Sequence, residues 1–354
     1  MKEKSMAISR RALLVYGGKV AAGAALLSGT DFGGIAHAAS RSLTIATSGG
    51  SFEQALKKAM FEPYQKANPD LALQLDTPDD AARLKAMVEA GNVTVDLSST
   101  GDFFGLDEDG QWLEPIDYSV VDKTMLLPGY AMKYRVGNDI ENTIICYRKD
   151  KFSSAAPEGF KDFFDTTKFP GKRAVWKFVA GGILEAALIA DGVAVKDLYP
   201  IDVERALKKL DSVKADLIWW DSGAQAQQLI TSGEAAMGIL WGSRAFPAMD
   251  NAPVGVVWKE WLSGGGWFVV PKGAPNKAEA FKALAFFLSE KPQIALTKYL
   301  PYGPVNVAAA KNVDAKYKGN LPTDHLDTRV SIDYSWWIKN QAAVDTRFQE
   351  WLLG

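Results

Sequence analysis

The sequence predicts an α/β protein of two lobes with a ligand cleft between them. Short β-branched strands alternate with amphipathic helices from residue 42 onward, the pattern of parallel strands joined by crossover helices. That series runs twice, before and after a polar, aromatic, Pro-containing stretch at 151–171 that reads as a crossing between lobes. The length, 354 residues, suits two domains at about 100–200 residues each, and 47% hydrophobic with 23% charged residues is ordinary globular usage.

The first 38 residues stand apart. Basic Lys2, Lys4, Arg10, Arg11 and Lys19 accompany an apolar run over 12–27, and Ala36-His37-Ala38 is a small-x-small cleavage site. This is a secretory signal, and the pair Arg10-Arg11 before the apolar run gives it a twin-arginine character. Cleavage after Ala38 would leave a periplasmic chain and move the formal charge from −2 to −5.

The mature chain then opens with a strand at 42–47. A helix starts at Ser51 with Gln54 three residues on, a capping-box pattern. Phe52, Leu56, Met60 and Tyr64 recur every four residues as its buried face, and Asn68-Pro69 stops it. A strand at 71–75, a helix at 79–90 and a strand at 93–98 follow, then a strand at 142–148. In the second series come strands at 173–177, 217–219 and 236–241, with helices at 183–190, 203–210 and 224–232. Strands at 254–258 and 268–270 and a helix at 278–289 complete the pattern.

Composition excludes several chemistries. A net charge of −2 offers no basic field for nucleic acid. Cys146 is the only cysteine, so no intrachain disulfide forms. His37 leaves with the signal and His325 stands alone, which argues against clustered metal ligands and a His-activated nucleophile. No GxSxG, HExxH, P-loop or GxGxxG pattern is present, so no cofactor or metal is expected. An exported hydrolase with two carboxylates is the alternative from another class.

Ligands in such sheets bind beyond the carboxyl ends of the strands. The turn Ser48-Gly49-Gly50-Ser51 lies at one such end, as a backbone cradle or a plain capped turn. Ser99-Thr100-Gly101-Asp102 lies at another, and Asp102 is either a partner for a ligand amine or the N-cap of the next helix. Of the eleven tryptophans, Trp241 and Trp267 sit beside glycines at strand edges and suit a cleft wall. Arg244, read as a loop residue after a buried strand, suits a ligand carboxylate; Lys177 is a weaker case of the same kind. Asp221 and Gln225 flank Ser222-Gly223 as a helix cap or a polar wall.

Several ordered strings carry a family resemblance. They are Ser48-Gly49-Gly50-Ser51-Phe52, Phe169-Pro170-Gly171-Lys172, Ser232-Gly233-Glu234, Val270-Pro271-Lys272-Gly273-Ala274-Pro275-Asn276 and Trp336-Trp337 near the end. Together they resemble the periplasmic solute-binding proteins of ABC importers, within the group of spermidine/putrescine binders and their relatives for aminobutyrate-type amino acids. The resemblance implies a type II-like two-lobed fold with a hinge. Lobe 1 would comprise 39–146 and 266–311, and lobe 2 would comprise 147–265 and 312–354. It implies crossings near Cys146-Tyr147, near 264–266 and near Ala310.

The resemblance also maps Ser99, Trp241 and Tyr302 onto cleft positions. The acids of polyamine binders do not carry over: one falls at Gly264-Gly265-Gly266 and a pair falls within 178–182. A polyamine buried without carboxylates, beside Arg244, would be strongly unfavourable. A ligand bearing a carboxylate, such as an ω-amino acid, fits better, with Asp102 or Asp221 taking its amine. The implied partners are that small ligand and an inner-membrane ABC permease, with the chain itself a monomer and no nucleic acid involved. Polyamine binding remains the alternative ligand class.

Overall fold

The structure is a computed structural model that describes residues 41–152 and 154–354. The export signal therefore lies outside the described residues. The strands are β1 (Arg41–Ala46), β2 (Leu71–Asp76), β3 (Leu97–Thr100), β4 (Val136–Arg148), β5 (Lys172–Trp176), β6 (Leu217–Trp220), β7 (Ala235–Trp241), β8 (Val254–Val269), β9 (Gly303–Pro304) and β10 (Val330–Ser331). They form one mixed sheet in the order β2-β1-β3-β8-β4-β7-β5-β6, with β9 on β4 and β10 on β8.

The expected parallel pairing holds in two wings, β2-β1-β3 and β7-β5-β6. Between them β4 and β8 are antiparallel to each other and to the neighbouring strand of each wing. These two strands are longer than the sequence suggests. Residues 136–141 lack a β-branched run, yet they form the first half of β4 because Asp139, fully buried, accepts hydrogen bonds from Gly266 N–H and Asn138 Nδ2. The glycines at 264–266, read as a gap between two strands, lie inside the single 16-residue β8.

The first helix begins at Gly50, one residue early, so Ser51 does not cap it. Gly49 and Gly50 take positive φ values of 78° and 64°, and the expected capping box is absent. Glu53 instead accepts from the hydroxyls of Thr47 and Thr77. The helix runs to Ala67 through a π turn at Lys57–Phe61, burying Leu56, Met60 and Tyr64 as predicted, while Phe52, expected on the same face, is only half-buried. β3 lies four residues beyond the predicted strand start. Asp96 accepts from the N–H groups of Thr44 and Asn276, which leaves Leu97–Thr100 as the paired stretch.

The stretch 151–171 does not cross between wings. Phe160, Phe163 and Phe169 belong to the hydrophobic cluster beneath the helices Ile183–Ala190 and Val203–Asp211, and buried Arg173 donates to the carbonyls of Phe163, Gly171 and Phe169. A helix the sequence conceals, Gly242–Asn251, follows β7 directly. It opens on Gly and contains Pro247, both poor helix formers. The last helix, Tyr334–Leu353, buries Trp337, Phe348 and Trp351 against the same cluster. His325 is structural: its ring stacks on Trp258 at 4.2 Å and its carbonyl accepts from Trp261 Nε1. No helix among the described residues is long and apolar enough to cross a membrane.

Candidate functional site

A cavity of about 690 Å³ opens where β4 and β8 run side by side between the two wings. Ser48, Ser51 and Phe52 reach it from the turn after β1, and Ser99, Thr100 and Asp102 from the end of β3. Trp176 and Trp241 face them from the ends of β5 and β7. Residues 141–143 of β4 and 262–266 of β8 form the floor, and Tyr302 and Tyr334 contribute hydroxyls.

The cavity carries donors for an anion. The helix Gly242–Asn251 starts there without a side-chain cap, so its first N–H groups are available and its dipole favours negative charge. Arg244 is its third residue, on a helix rather than in the expected loop. Its Nε is buried without a hydrogen-bond partner, and among the described residues its guanidinium takes part in no ion pair. Asn142 lies against the same helix start: a Cβ on Gly242 would come within 2.2 Å of Asn142 Oδ1. The Asn142 side chain is 3% exposed and neither amide atom has a partner. Such orphaned buried groups are costly, and cost less when a ligand or water pairs with them.

The wall beside Arg244 is aromatic. Trp176 stacks on buried Trp220 at 5.5 Å, with planes 4° apart. Trp241 stands edge-on to both, at 4.9 and 5.1 Å. The stack fixes the Trp241 ring, which suits it to pack on a short aliphatic chain.

The cavity is also lined by acids. Asp102 accepts from Trp267 Nε1 at 2.8 Å and from Gly265 N–H at 3.1 Å, so it is not a helix cap. The N-cap of the following short turn, Asp107–Asp109, is Leu106. Burial raises the Asp102 pKa, opposed by Trp267, Gly265 N–H and the charge of Arg135. Glu141 projects from β4, its pKa raised well above the usual range by burial and then by the charges of Asp139 and Asp102. Asp79 accepts from Ser99 Oγ; burial raises its pKa too. Beneath the floor, burial pushes Asp139 up to about 7.

The glycines at 264–266 explain this crowding. A Cβ on Gly264 would lie 3.0 Å from Asp102 Oδ2, and one on Gly266 would lie 2.6 Å from Asp139 Oδ2. Asp102, from the loop after β3, and Asp139, from β4, thus crowd against the backbone of β8 where the glycines have no side chains. The polyamine binders' acids do not carry over position by position, yet Asp102, Glu141 and Asp79 line the cavity from other segments.

Of the residues singled out in the sequence, Ser48, Ser51, Ser99, Thr100, Asp102, Trp241, Arg244 and Tyr302 meet at this cavity. Gly49 and Gly50 shape the turn but do not line it. Trp267 is 6% exposed and supports Asp102 from behind instead of forming a wall. Lys177 is exposed outside the cavity, its N–H bonded to Trp220 O. Asp221 is likewise outside. Ser222 is the cap of the helix Gly223–Ser232, and Gln225 Oε1 accepts from Asp221 N–H. Sequence reasoning missed Asp79, Glu141, Asn142, Trp176 and Tyr334. The run Asp139-Ile140-Glu141-Asn142, acids and an amide leading into a β-branched strand, was the available signal.

Known proteins resemble the chain over most of its length. Residues 59–323 match the bacterial extracellular solute-binding protein family. The chain is 31% identical over 337 residues to the gamma-aminobutyric acid-binding protein of Pseudomonas aeruginosa, covering 92% of this chain and 95% of that one. A solved structure described as a GABA receptor is 37% identical, with a TM-score of 0.81 over 88% of this chain and 98% of its own. The binding protein AgtB of Agrobacterium tumefaciens R10, solved with agropinic acid, is 35% identical, with a TM-score of 0.70 over 89% and 99%. The shared fold is the two-lobed one, and with this coverage the chain belongs to the bacterial extracellular solute-binding proteins, the ligand-capturing components of ABC transporters.

Proposed function

We propose that this chain captures a small ω-amino acid of the γ-aminobutyrate type and delivers it to an ABC permease. The observation that carries this is the polarity of the cavity. Arg244, an uncapped helix start and the unpartnered Asn142 amide share one cavity with the carboxylates of Asp102, Glu141 and Asp79. A ligand carboxylate would take charge-assisted hydrogen bonds at Arg244, its chain would pack on Trp241, and its ammonium would face Asp102 and Glu141. The names of the relatives, two for aminobutyrate and one solved with agropinic acid, support an amino-acid-like ligand.

The work is binding, without turnover. Adjusted to β4, β8 and β10, lobe 1 is assigned to 39–142 with 265–329 and lobe 2 to 143–264 with 330–354. The chain crosses between them at the cavity floor, near 141–143 and 262–266. We place the third crossing at β10, which runs beside Leu262 and Ser263, instead of near Ala310. A ligand touching both lobes only in the closed form shifts the open–closed equilibrium by its differential affinity. The permease reads the closed surface. The chain reaches the periplasm through its twin-arginine signal, is cleaved after Ala38 and acts as a monomer.

The acids keep polyamine binding as the second reading, since three carboxylates at one cavity would also suit two ammonium groups. A thermal-shift screen of the mature protein against ω-amino acids, polyamines, small carboxylates and sugars tests the assignment. Binding to the native state raises Tm by mass action. A shift with γ-aminobutyrate and none with putrescine supports the proposal. A shift with polyamines alone would overturn it, and product formation from any glycoside would support the hydrolase alternative.

A further inference from the structure

A second, smaller cavity of about 190 Å³ lies behind the first. Asp102, Ser263, Gly264 and Tyr334 line both and form the wall between them. The two cavities differ in charge. The front one carries three acids and one guanidinium; the rear one carries two guanidiniums, Arg135 and Arg329, and the single acid Asp102.

Arg135 is 4% exposed, yet no carboxylate bonds to it. Its Nε meets Met132 Sδ at 3.2 Å, and Nη1 donates to the carbonyls of Asp102 and Phe104 at 2.7 and 3.1 Å. Its guanidinium lies over the Trp267 ring at 3.9 Å. Nη2 has no hydrogen-bond partner among the described residues, in a side chain that borders the rear cavity. Arg329 borders the same space and reaches only the Tyr130 hydroxyl, at 3.5 Å. Neither arginine is in an ion pair among the described residues, and Asp102 is already held by Trp267 and Gly265.

Arg329 is half-buried and Asp102 is the one acid bordering this cavity, so two guanidiniums share a single carboxylate there, and a planar guanidinium fork beside a cavity matches an oxyanion. We propose that the rear cavity is an anion site, which holds a small oxyanion such as phosphate or a carboxylate between Arg135 and Arg329. The site is separate from the amino-acid site and beside the strands that join the lobes. Tyr130, stacked on Trp267 at 5.6 Å, supplies a hydroxyl and a flat wall.

Thermal unfolding with inorganic phosphate, against chloride at matched ionic strength, tests the site without any amino-acid ligand. The comparison uses the mature wild type, Arg329→Gln and Arg244→Gln. Phosphate is expected to raise Tm in the wild type and in R244Q, and to leave R329Q at its chloride value. Cooperative unfolding of R329Q in chloride near the wild-type Tm shows that its fold is intact; if it unfolds otherwise, Arg329→Lys, which keeps the charge and loses the fork, is measured in its place and should weaken the phosphate effect. A wild type that ignores phosphate overturns the proposal, as does a phosphate effect that survives R329Q. An effect lost in R244Q and kept in R329Q would place the anion in the front cavity. None of these outcomes depends on γ-aminobutyrate being the ligand.

Discussion

Replacing Arg244 with glutamine should weaken γ-aminobutyrate binding while leaving the empty protein as stable as the wild type. Arg244 sits in no ion pair among the described residues, and its Nε has no partner, so nothing in the unliganded fold depends on its charge. Truncating one partner of a buried charge pair costs about 2–5 kcal/mol. The lower part of that range applies, because the helix start at Gly242 and the Asn142 amide still face the carboxylate and glutamine keeps a donor. A loss of about 2–3 kcal/mol is about 30- to 150-fold in Kd. Isothermal titration of both proteins reads this directly, and their unfolding curves check the fold. A Kd within about threefold of wild type, less than about 0.7 kcal/mol, would refute the carboxylate assignment. A large fall in the stability of the empty protein would show instead that Arg244 is structural.

Gly223→Ala should separate affinity from stability. Alanine favours the helix Gly223–Ser232 by up to about 1 kcal/mol, but its Cβ would meet Arg244 Nε at 2.5 Å and Trp241 at 3.1 Å. Titration should show about a tenfold loss, equal to about 1.4 kcal/mol, and unchanged affinity would mean that Arg244 need not hold its present place. Asp139→Asn addresses pH. The Asp139 pKa of about 7 exceeds the ordinary carboxylate value, so the folded state holds the proton more tightly than the unfolded chain. Its contribution to stability is full below about pH 4 and is lost as pH rises through 7. The Asn138 Oδ1, now without a partner, can accept from the new amide, so D139N should fold and give a flatter Tm profile between pH 5 and 8; parallel profiles would refute this. For Glu141, whose pKa is raised by burial and by Asp139 and Asp102, pairing with an ammonium requires the ionised form. Affinity for γ-aminobutyrate should therefore tighten as pH rises and Glu141 ionises, and Glu141→Gln should reduce that slope. An equal slope in E141Q would remove Glu141 from the amine end.

The fold was largely legible because its wings are made of regular units. The buried stripe of Leu56, Met60 and Tyr64 lies where a four-residue period puts it, and the helix Ile183–Ala190 has the predicted bounds. The centre was not legible. β4 and β8 depart from β-branched patterning at Asp139, Glu141 and the three glycines, where the strands serve the cavity and not the core. Gly242 and Pro247 hid the helix that carries Arg244. The site shows the same division. Arg244 and Trp241 stand out by residue type beside glycines. Glu141, Asn142 and Asp79 become site residues only when strand pairing brings them to the cavity, and that pairing is tertiary information. Trp267 and Asp221 share the local features of site residues, but one supports Asp102 from behind and the other flanks a helix cap.

Ligand recognition here requires that one cavity pair a carboxylate with Arg244 and an ammonium with the acids. Calorimetric titration with three four-carbon ligands isolates it: γ-aminobutyrate, putrescine and succinate share chain length and differ only in their ends. γ-Aminobutyrate should bind, and putrescine and succinate should each lose at least about tenfold, or about 1.4 kcal/mol. Putrescine binding as tightly as γ-aminobutyrate, or more tightly, would contradict that requirement.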